Sequence, residues 1–248
     1  MKFDHLVLNV SEDYQSEGTR TQNIREMGLL YDPKKGKGTR GFKATNIWIG
    51  KEYFEMISIK KRDGGGWKRE WVNAFNNGER GLICLMLDVT NLNHLVKKLE
   101  AKGVAISPPE SIEIKFLFNF ISKTLPWHNS YLNFFQNVPM QIGFQQMKNE
   151  KVKLNLQKHM VPNSSKNNIT GIKRIQVNGP FSVSDFEMLK TVFENSLLEE
   201  NQITIHLENS QVLVFKKDET FNVQVELNHK NSSSINRDCW IENTQIFY

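Results

Sequence analysis

Cysteine is scarce in this 248-residue chain: Cys84 and Cys239 are the two there are, too few for a disulfide framework. Reduced thiols in a cytoplasm are the simplest reading of that usage. No run of apolar residues approaches the length that crosses a bilayer, so no membrane partner is expected. No basic-then-apolar leader precedes the first apolar stretch, so no secretory signal is expected. The glycine run Asp63-Gly64-Gly65-Gly66-Trp67 lacks the Gly-Lys-Ser/Thr ending of a phosphate-binding loop. A nucleotide site is therefore discounted, and a mobile loop or lid over a cavity suits the run better.

Nucleic acid is excluded on similar grounds. The net charge is +5, with clusters at Lys34-Lys35-Gly36-Lys37 and Lys60-Lys61-Arg62. Phosphate binding needs clustered cations, but neither cluster belongs to a helix-turn-helix, finger or RNA-binding pattern. A mildly basic surface accounts for the charge. Hydrophobic residues at 39% and charged residues at 24% are the mix of a globular protein with a sizeable core.

What is present begins with Phe3-Asp4-His5-Leu6-Val7-Leu8-Asn9-Val10. Alternation puts Phe3, His5, Val7 and Asn9 on one face of a strand and Asp4, Leu6, Leu8 and Val10 on the other. His5 thus sits mid-strand among apolar neighbours, as a metal ligand, a general base or a paired core histidine. Thr21–Leu30 reads as a short helix closed by Gly28, and Tyr31–Arg40 as an exposed loop. Residues 42–49 and 53–59 form a hairpin about Gly50-Lys51. Glu55 repeats the oddity of His5, since a lone carboxylate buried in an apolar strand costs several kcal/mol unless something partners it. Trp67, Trp71 and Phe75 then share one face of a helix over 67–77.

The pattern restarts twice. Gly81–Val89 is an apolar strand, Leu92–Ala101 a helix capped by Thr90 or Asn91, and 112–121 and 140–147 are further strands. Leu125-Pro126-Trp127-His128 reads as a loop between them. Lys148–Asn168 is the domain boundary, a Lys- and Asn-rich linker separating residues 1–147 from a third, more divergent unit over 169–248. In that unit a strand at 171–177 and a helix from Ser182 or Ser184 precede strands at 202–207, 211–215 and 221–227. Residues 230–248 carry no firm assignment. Strand, helix, then two or three strands is the repeat, and the fold class is α+β.

With Phe3-Asp4-His5-Leu6-Val7, Gly38-Thr39-Arg40 leading to Thr45-Asn46, and Tyr53-Phe54-Glu55-Met56, the chain resembles the vicinal oxygen chelate superfamily, and within it the glyoxalase-like domain proteins. The resemblance implies βαβββ modules paired into curved mixed sheets around a cavity. It implies a divalent metal held by His5, Glu55 and Gln145 (or Gln146), with Cys84 at the remaining first-strand place and Glu55 as the catalytic carboxylate. Trp67, Trp127 and Phe144 are the substrate-binding candidates, and Trp71, Tyr131, Phe134 and Phe135 extend an aromatic wall. No other cofactor is implied. Two functions follow: a metal-dependent lyase, isomerase or dioxygenase acting on a small oxygenated substrate, or a metal-free protein that sequesters a small-molecule ligand. The extra unit is expected to close a homodimer or complete a half-open sheet.

Overall fold

The computed structural model describes residues 1–116, 121–230 and 237–248. Part of the strand expected over 112–121, and the serines opening the C-terminal tail, lie outside the described residues. The first unit runs β1 (Lys2–Asn9), α1 (Thr19–Glu26), β2 (Lys37–Gly38), β3 (Phe42–Ile49) and β4 (Glu52–Ile59). After α2 (Arg69–Asn76) the second runs β5 (Gly81–Asp88), α3 (Leu92–Ala101), β6 (Glu110–Phe116), β7 (Ile121–Tyr131) and β8 (Gln141–Met147). These strands form one mixed sheet in the order β2-β3-β4-β1-β5-β8-β7-β6. The two first strands, β1 and β5, lie antiparallel at its centre, each flanked by its own unit's last strand running parallel to it. Two paired βαβββ modules in a curved sheet are thus the architecture observed.

Local chemistry sets the ends of these elements. Gly50 turns the β3–β4 hairpin at φ +64, a conformation with little cost only for glycine, and its amide donates to Asn163 Oδ1. Asn91, of the two candidates, caps α3 by accepting from the His94 amide, and Gly103 follows the helix at φ +76. The loop expected at 125–128 is instead part of β7. Pro126 has no amide to give a ladder, and it is tolerated because the β6–β7 register shifts beside it, between Ser111 and Glu113.

Residues 148–168 are not plain linker: α4 (Glu150–Gln157) begins there, its first turn capped by Asn149 accepting from Val152 N. The chain then runs β9 (Ile169–Gly179), α5 (Val183–Val192), β10 (Leu197–Leu198), β11 (Gln202–His206), β12 (Val212–Lys217), β13 (Asn222–His229), β14 (Asp238–Ile241) and β15 (Thr244–Phe247), whose strands form the second sheet. Its order is β10-β11-β12-β9-β13-β15-β14. Because β13 runs antiparallel to β9 and parallel to β15, it stands where β5 stands in the first sheet. The C-terminal 19 residues therefore hold two strands of a fourth unit, whose first strand is β13.

One apolar core lies between the sheets. Leu6, Leu8, Phe54, Met56, Leu85 and Phe144 of the first pack with Ile172, Ile175, Phe215, Val223 and Val225 of the second, and α1, α3 and α5 bury their apolar sides in the same layer. Gln211 fastens the layer, accepting from Phe3 N at 2.8 Å and donating to Glu52 Oε1 at 2.7 Å, while Ile172 N donates to Glu52 Oε2 at 2.5 Å. Burial pushes the Glu52 carboxyl up to about 7 against those bonds. The other face of the first sheet carries a separate core of Val7, Ile57, Cys84, Met86 and Tyr131, covered by Trp71 and Val72 of α2. This concave face carries the polar residues of interest.

Candidate functional site

The site is made by a slip in one strand. Phe3 pairs with Leu87 and His5 with Met86, which leaves Asp4 without a partner across β5. One extra residue against a ladder is a bulge, and bulges re-aim side chains. Strict alternation would send Asp4 into the core opposite His5. Instead its Oδ2 accepts from His5 Nδ1 at 2.6 Å and from Gln145 Nε2 at 2.9 Å, all three residues being buried. A carboxylate on Nδ1 places the proton there and leaves Nε2 as the basic nitrogen. The imidazole also lies flat on its cross-strand partner Tyr53, ring centroids 4.4 Å apart and planes 13° apart. Its orientation is held on two sides.

His5 Nε2 faces Glu55, whose Oε2 is 4.0 Å away. Burial raises the Glu55 carboxyl above the usual range; the charge of His5 opposes the shift and that of Asp4 adds to it. The Glu55 side chain is nevertheless 21% exposed, so solvent or a small molecule reaches it from the concave side. The sequence brought His5 and Glu55 forward, and the structure brings them together. Asp4 and Tyr53 were missed. Period-two alternation assigns Asp4 to the wrong face, and nothing in one sequence announces the bulge.

Gln145, not Gln146, reaches this cluster; Gln146 Oε1 accepts from Leu92 N at the start of α3. Gln145 presents its amide N–H₂ to Asp4, and against a carboxylate no other orientation of the amide is favourable. It is also not the counterpart of Glu55. If Cys84 matches His5, then Met86 matches Val7; Glu55 lies opposite Val7, and opposite Met86 lies Gly143. A side chain there has no room, since a Cβ would come 2.2 Å from Met86 Sδ. Cys84 itself lies 3.5 Å from Met86 Sδ, and burial drives its thiol far above the ordinary range.

The donor set available to a divalent metal is therefore one imidazole nitrogen and one carboxylate. Among the described residues no group of three or more His, Cys, Asp and Glu side chains is placed to hold an ion. These residues do not fit a resident metal of the kind the superfamily resemblance implies.

Of the aromatic candidates, Trp67 borders the concave core, 6.0 Å from Trp71 between ring centroids, and Trp71 meets Tyr131 edge-on at 5.8 Å. Trp127 shares the face of Asn129 and Tyr131 on β7 and is half-buried. Phe144 is on the opposite side of β8, fully buried between the sheets. Alternation along β8 puts it there, with Gln145 on the concave side, and it packs the core. Phe135 likewise belongs to the core between the sheets, while Phe134 borders the concave one.

The concave face also holds unpartnered polar atoms: Asn9 Oδ1, Trp67 Nε1, Trp71 Nε1, Asn129 Oδ1 and Gln141 Nε2. A buried donor or acceptor left without a partner costs about 1–3 kcal/mol. Folded chains keep few of them. Lys68 stands at the rim, its Nζ 4.3 Å from the centre of the Tyr131 ring.

No protein-family model matches the sequence, and no curated protein matches it. Among solved structures, a hypothetical protein from Staphylococcus aureus superposes with a TM-score of 0.70 over 99% of this chain and 98% of that one, at 13% identity. The two chains share a fold from end to end. Methylmalonyl-CoA epimerase from Mycobacterium tuberculosis covers 60% of this chain and 90% of its own at 10% identity and a TM-score of 0.40. A hypothetical protein from Bacillus halodurans C-125 covers 60% and 95%, at 12% identity and a TM-score of 0.38. Both of the latter are too remote to transfer a role to any residue. Among the described residues, no helix is long and apolar enough to cross a membrane.

Proposed function

We propose that the concave face of the first sheet binds a small oxygenated molecule and that Asp4, His5 and Glu55 move a proton on it, an isomerase-type reaction. The observation that carries this reading is the oriented imidazole: Asp4 holds Nδ1, and Nε2 is left facing Glu55. A carboxylate behind a histidine fixes its tautomer and stabilises the imidazolium that forms when it accepts a proton. Burial lifts the Glu55 pKa and so favours the protonated carboxyl, the form that can give a proton.

The 4.0 Å between Nε2 and Oε2 matches a substrate in which a C–H sits next to a carbonyl. His5 takes the proton from a carbon that also bears a hydroxyl as Glu55 protonates the neighbouring carbonyl oxygen. An enediol forms, and return of the proton from His5 to the former carbonyl carbon, as Glu55 takes the proton of the other hydroxyl, gives the isomer. Charge balances within the pair, since the neutral imidazole becomes cationic as the neutral carboxyl becomes anionic. The superfamily resemblance supports a small oxygenated substrate. The donor set does not support its metal, so the chemistry rests on these side chains.

The test is hydrogen exchange from D₂O into hydroxyacetone and dihydroxyacetone, followed by proton NMR. The wild type is expected to speed exchange at the carbon beside the carbonyl, and His5→Ala and Glu55→Gln to abolish the acceleration. Equal exchange in the wild type and both variants would remove the reading. The second reading, a sequestering protein without chemistry, is favoured by the aromatic wall of Trp67, Trp71 and Tyr131. Ligand binding with no exchange in any of the three proteins would select it.

A further inference from the structure

Among the described residues six buried polar side-chain atoms lack a hydrogen-bond partner, and five of the six lie on the concave face. The sixth, Ser130 Oγ, is opposite Phe144 and so belongs to the core side. Orphaned atoms scattered by chance would not collect on one side of one sheet. Asn9, Trp71, Asn129 and Gln141 are each more than nine-tenths buried. Several of these atoms are linked through their neighbours. Trp71 touches both Trp67 and Tyr131, and Asn129 donates to the Tyr131 hydroxyl at 3.0 Å. Gln141 pairs with Cys84, which lies across from Val7, and Asn9 donates to the Trp71 carbonyl at 3.3 Å.

The chemistry of the set is lopsided. Trp67 Nε1, Trp71 Nε1 and Gln141 Nε2 are donors, and Lys68 adds a cation at the rim. Lys68 is 26% exposed and pairs with Glu70, 3.6 Å away and 60% exposed. An exposed pair of that kind binds weakly and yields readily to a better-placed anion. The remaining orphans, Asn9 Oδ1 and Asn129 Oδ1, are acceptors. Two unused indole N–H donors beside a cation, with Gln141 offering its amide next to the Cys84 thiol, call for an anion with several acceptor oxygens, and two unused carbonyl oxygens call for a hydroxyl.

We propose that this half of the concave face recognises a small hydroxy-carboxylate, its carboxylate taken by Lys68, Trp67, Trp71 and Gln141 and its hydroxyl by Asn9 or Asn129. The proposal rests on the binding role given above to the same face and names the class of molecule bound. Tyr131 and the two indoles supply the flat apolar surface that the rest of such a molecule would cover. The sequence enters the site through Gly64-Gly65-Gly66, all three at positive φ, which brings Trp67 and Lys68 onto the face side by side.

Mandelate carries a carboxylate, a neighbouring hydroxyl and an aromatic ring, and mandelamide is its neutral counterpart. Isothermal titration calorimetry of the full chain is expected to show mandelate binding at least tenfold tighter than mandelamide. Lys68→Met, at a half-buried position, and Trp71→Phe, which keeps a ring and drops one donor, should each weaken mandelate at least fivefold and narrow its advantage over mandelamide. Equal affinity for the two compounds, or mandelate binding indifferent to both substitutions, would overturn the proposal and assign the orphan donors to water. The proton-transfer reading fails separately. Selective mandelate binding without exchange on any hydroxyketone leaves this proposal standing, and exchange without carboxylate selectivity removes this one alone.

Discussion

Asp4 and His5 are neighbours in the chain, yet their side chains meet on one side of the sheet, Oδ2 to Nδ1 at 2.6 Å. A single unpaired residue in the β1–β5 ladder produces that contact. The arrangement gives the imidazole a fixed tautomer and leaves Nε2 facing Glu55, and the function proposed here depends on it.

Replacing Asp4 by Asn keeps the shape and removes the charge. The ring then loses the partner that holds its proton on Nδ1, and exchange on hydroxyacetone should fall by about 10²–10⁴-fold. Ligand affinity should change far less, since Asp4 is buried behind His5. An exchange rate within a few-fold of wild type would mean that Asp4 only packs the histidine.

Glu55 should make both activity and stability depend on pH. Its folded-state pKa is raised by burial, so the protonated carboxyl is favoured by the fold. The stability it contributes is fully present below the unfolded carboxyl range and is lost as pH rises through the raised value. Activity that needs protonated Glu55 should fall over the same rise. Glu55→Gln should be inactive yet melt higher than wild type above that range, as thermal melts at a series of pH values would show. A variant that melts lower than wild type throughout would contradict this.

Glu52 is a second titrating carboxyl, set between the sheets rather than in the site. Its pKa of about 7 means that it, too, contributes stability below the unfolded carboxyl range and loses it as pH climbs through about 7. Urea midpoints of the wild type should decline between about pH 5 and 8, and Glu52→Gln should flatten part of that decline. The bonds from Ile172 N and Gln211 Nε2 oppose the shift, so an unchanged slope in the variant would show that they win.

The glycine run before Trp67 offers a graded test. A Cβ at Gly64 would come 2.3 Å from Val72 Cγ2, while at Gly66 it would meet nothing within 4 Å; both positions have positive φ. Gly64→Ala should cost about 1–3 kcal/mol through overpacking and backbone strain together. Gly66→Ala should cost only the strain, about 1 kcal/mol. Equal losses in denaturant titration would show that Val72 moves aside freely.

Phe144 and Trp127 separate packing from binding. Phe144→Ala should destabilise by about 3–5 kcal/mol, because it empties the layer between the sheets. Trp127→Ala, on the half-buried concave side, should cost much less stability and shift ligand affinity instead. The reverse pattern would move the binding face to the other side of the sheet.

Periodicity was enough to find most elements of the first two units. The alternation in β1, the Gly50-Lys51 hairpin and the Asn91-to-Gly103 helix are written in local patterns of apolar residues, caps and glycines, and local energies decide them. His5 and Glu55 were legible for a related reason: a polar side chain in an apolar strand stands out whatever surrounds it. Tertiary structure decided the rest. The bulge at Asp4 reflects how β1 registers against β5, which are separated by more than seventy residues. Gly143 in the place of a second carboxylate, Gln145 turned to Asp4 and Phe144 turned to the core follow from which strands became neighbours. The tail became two strands because β13 offered a free edge in the second sheet. Sequence pattern reports which side of its own strand a residue occupies; only the packed sheets determine what stands across from it, and both the acid–base pair and the unpartnered donors are properties of that juxtaposition.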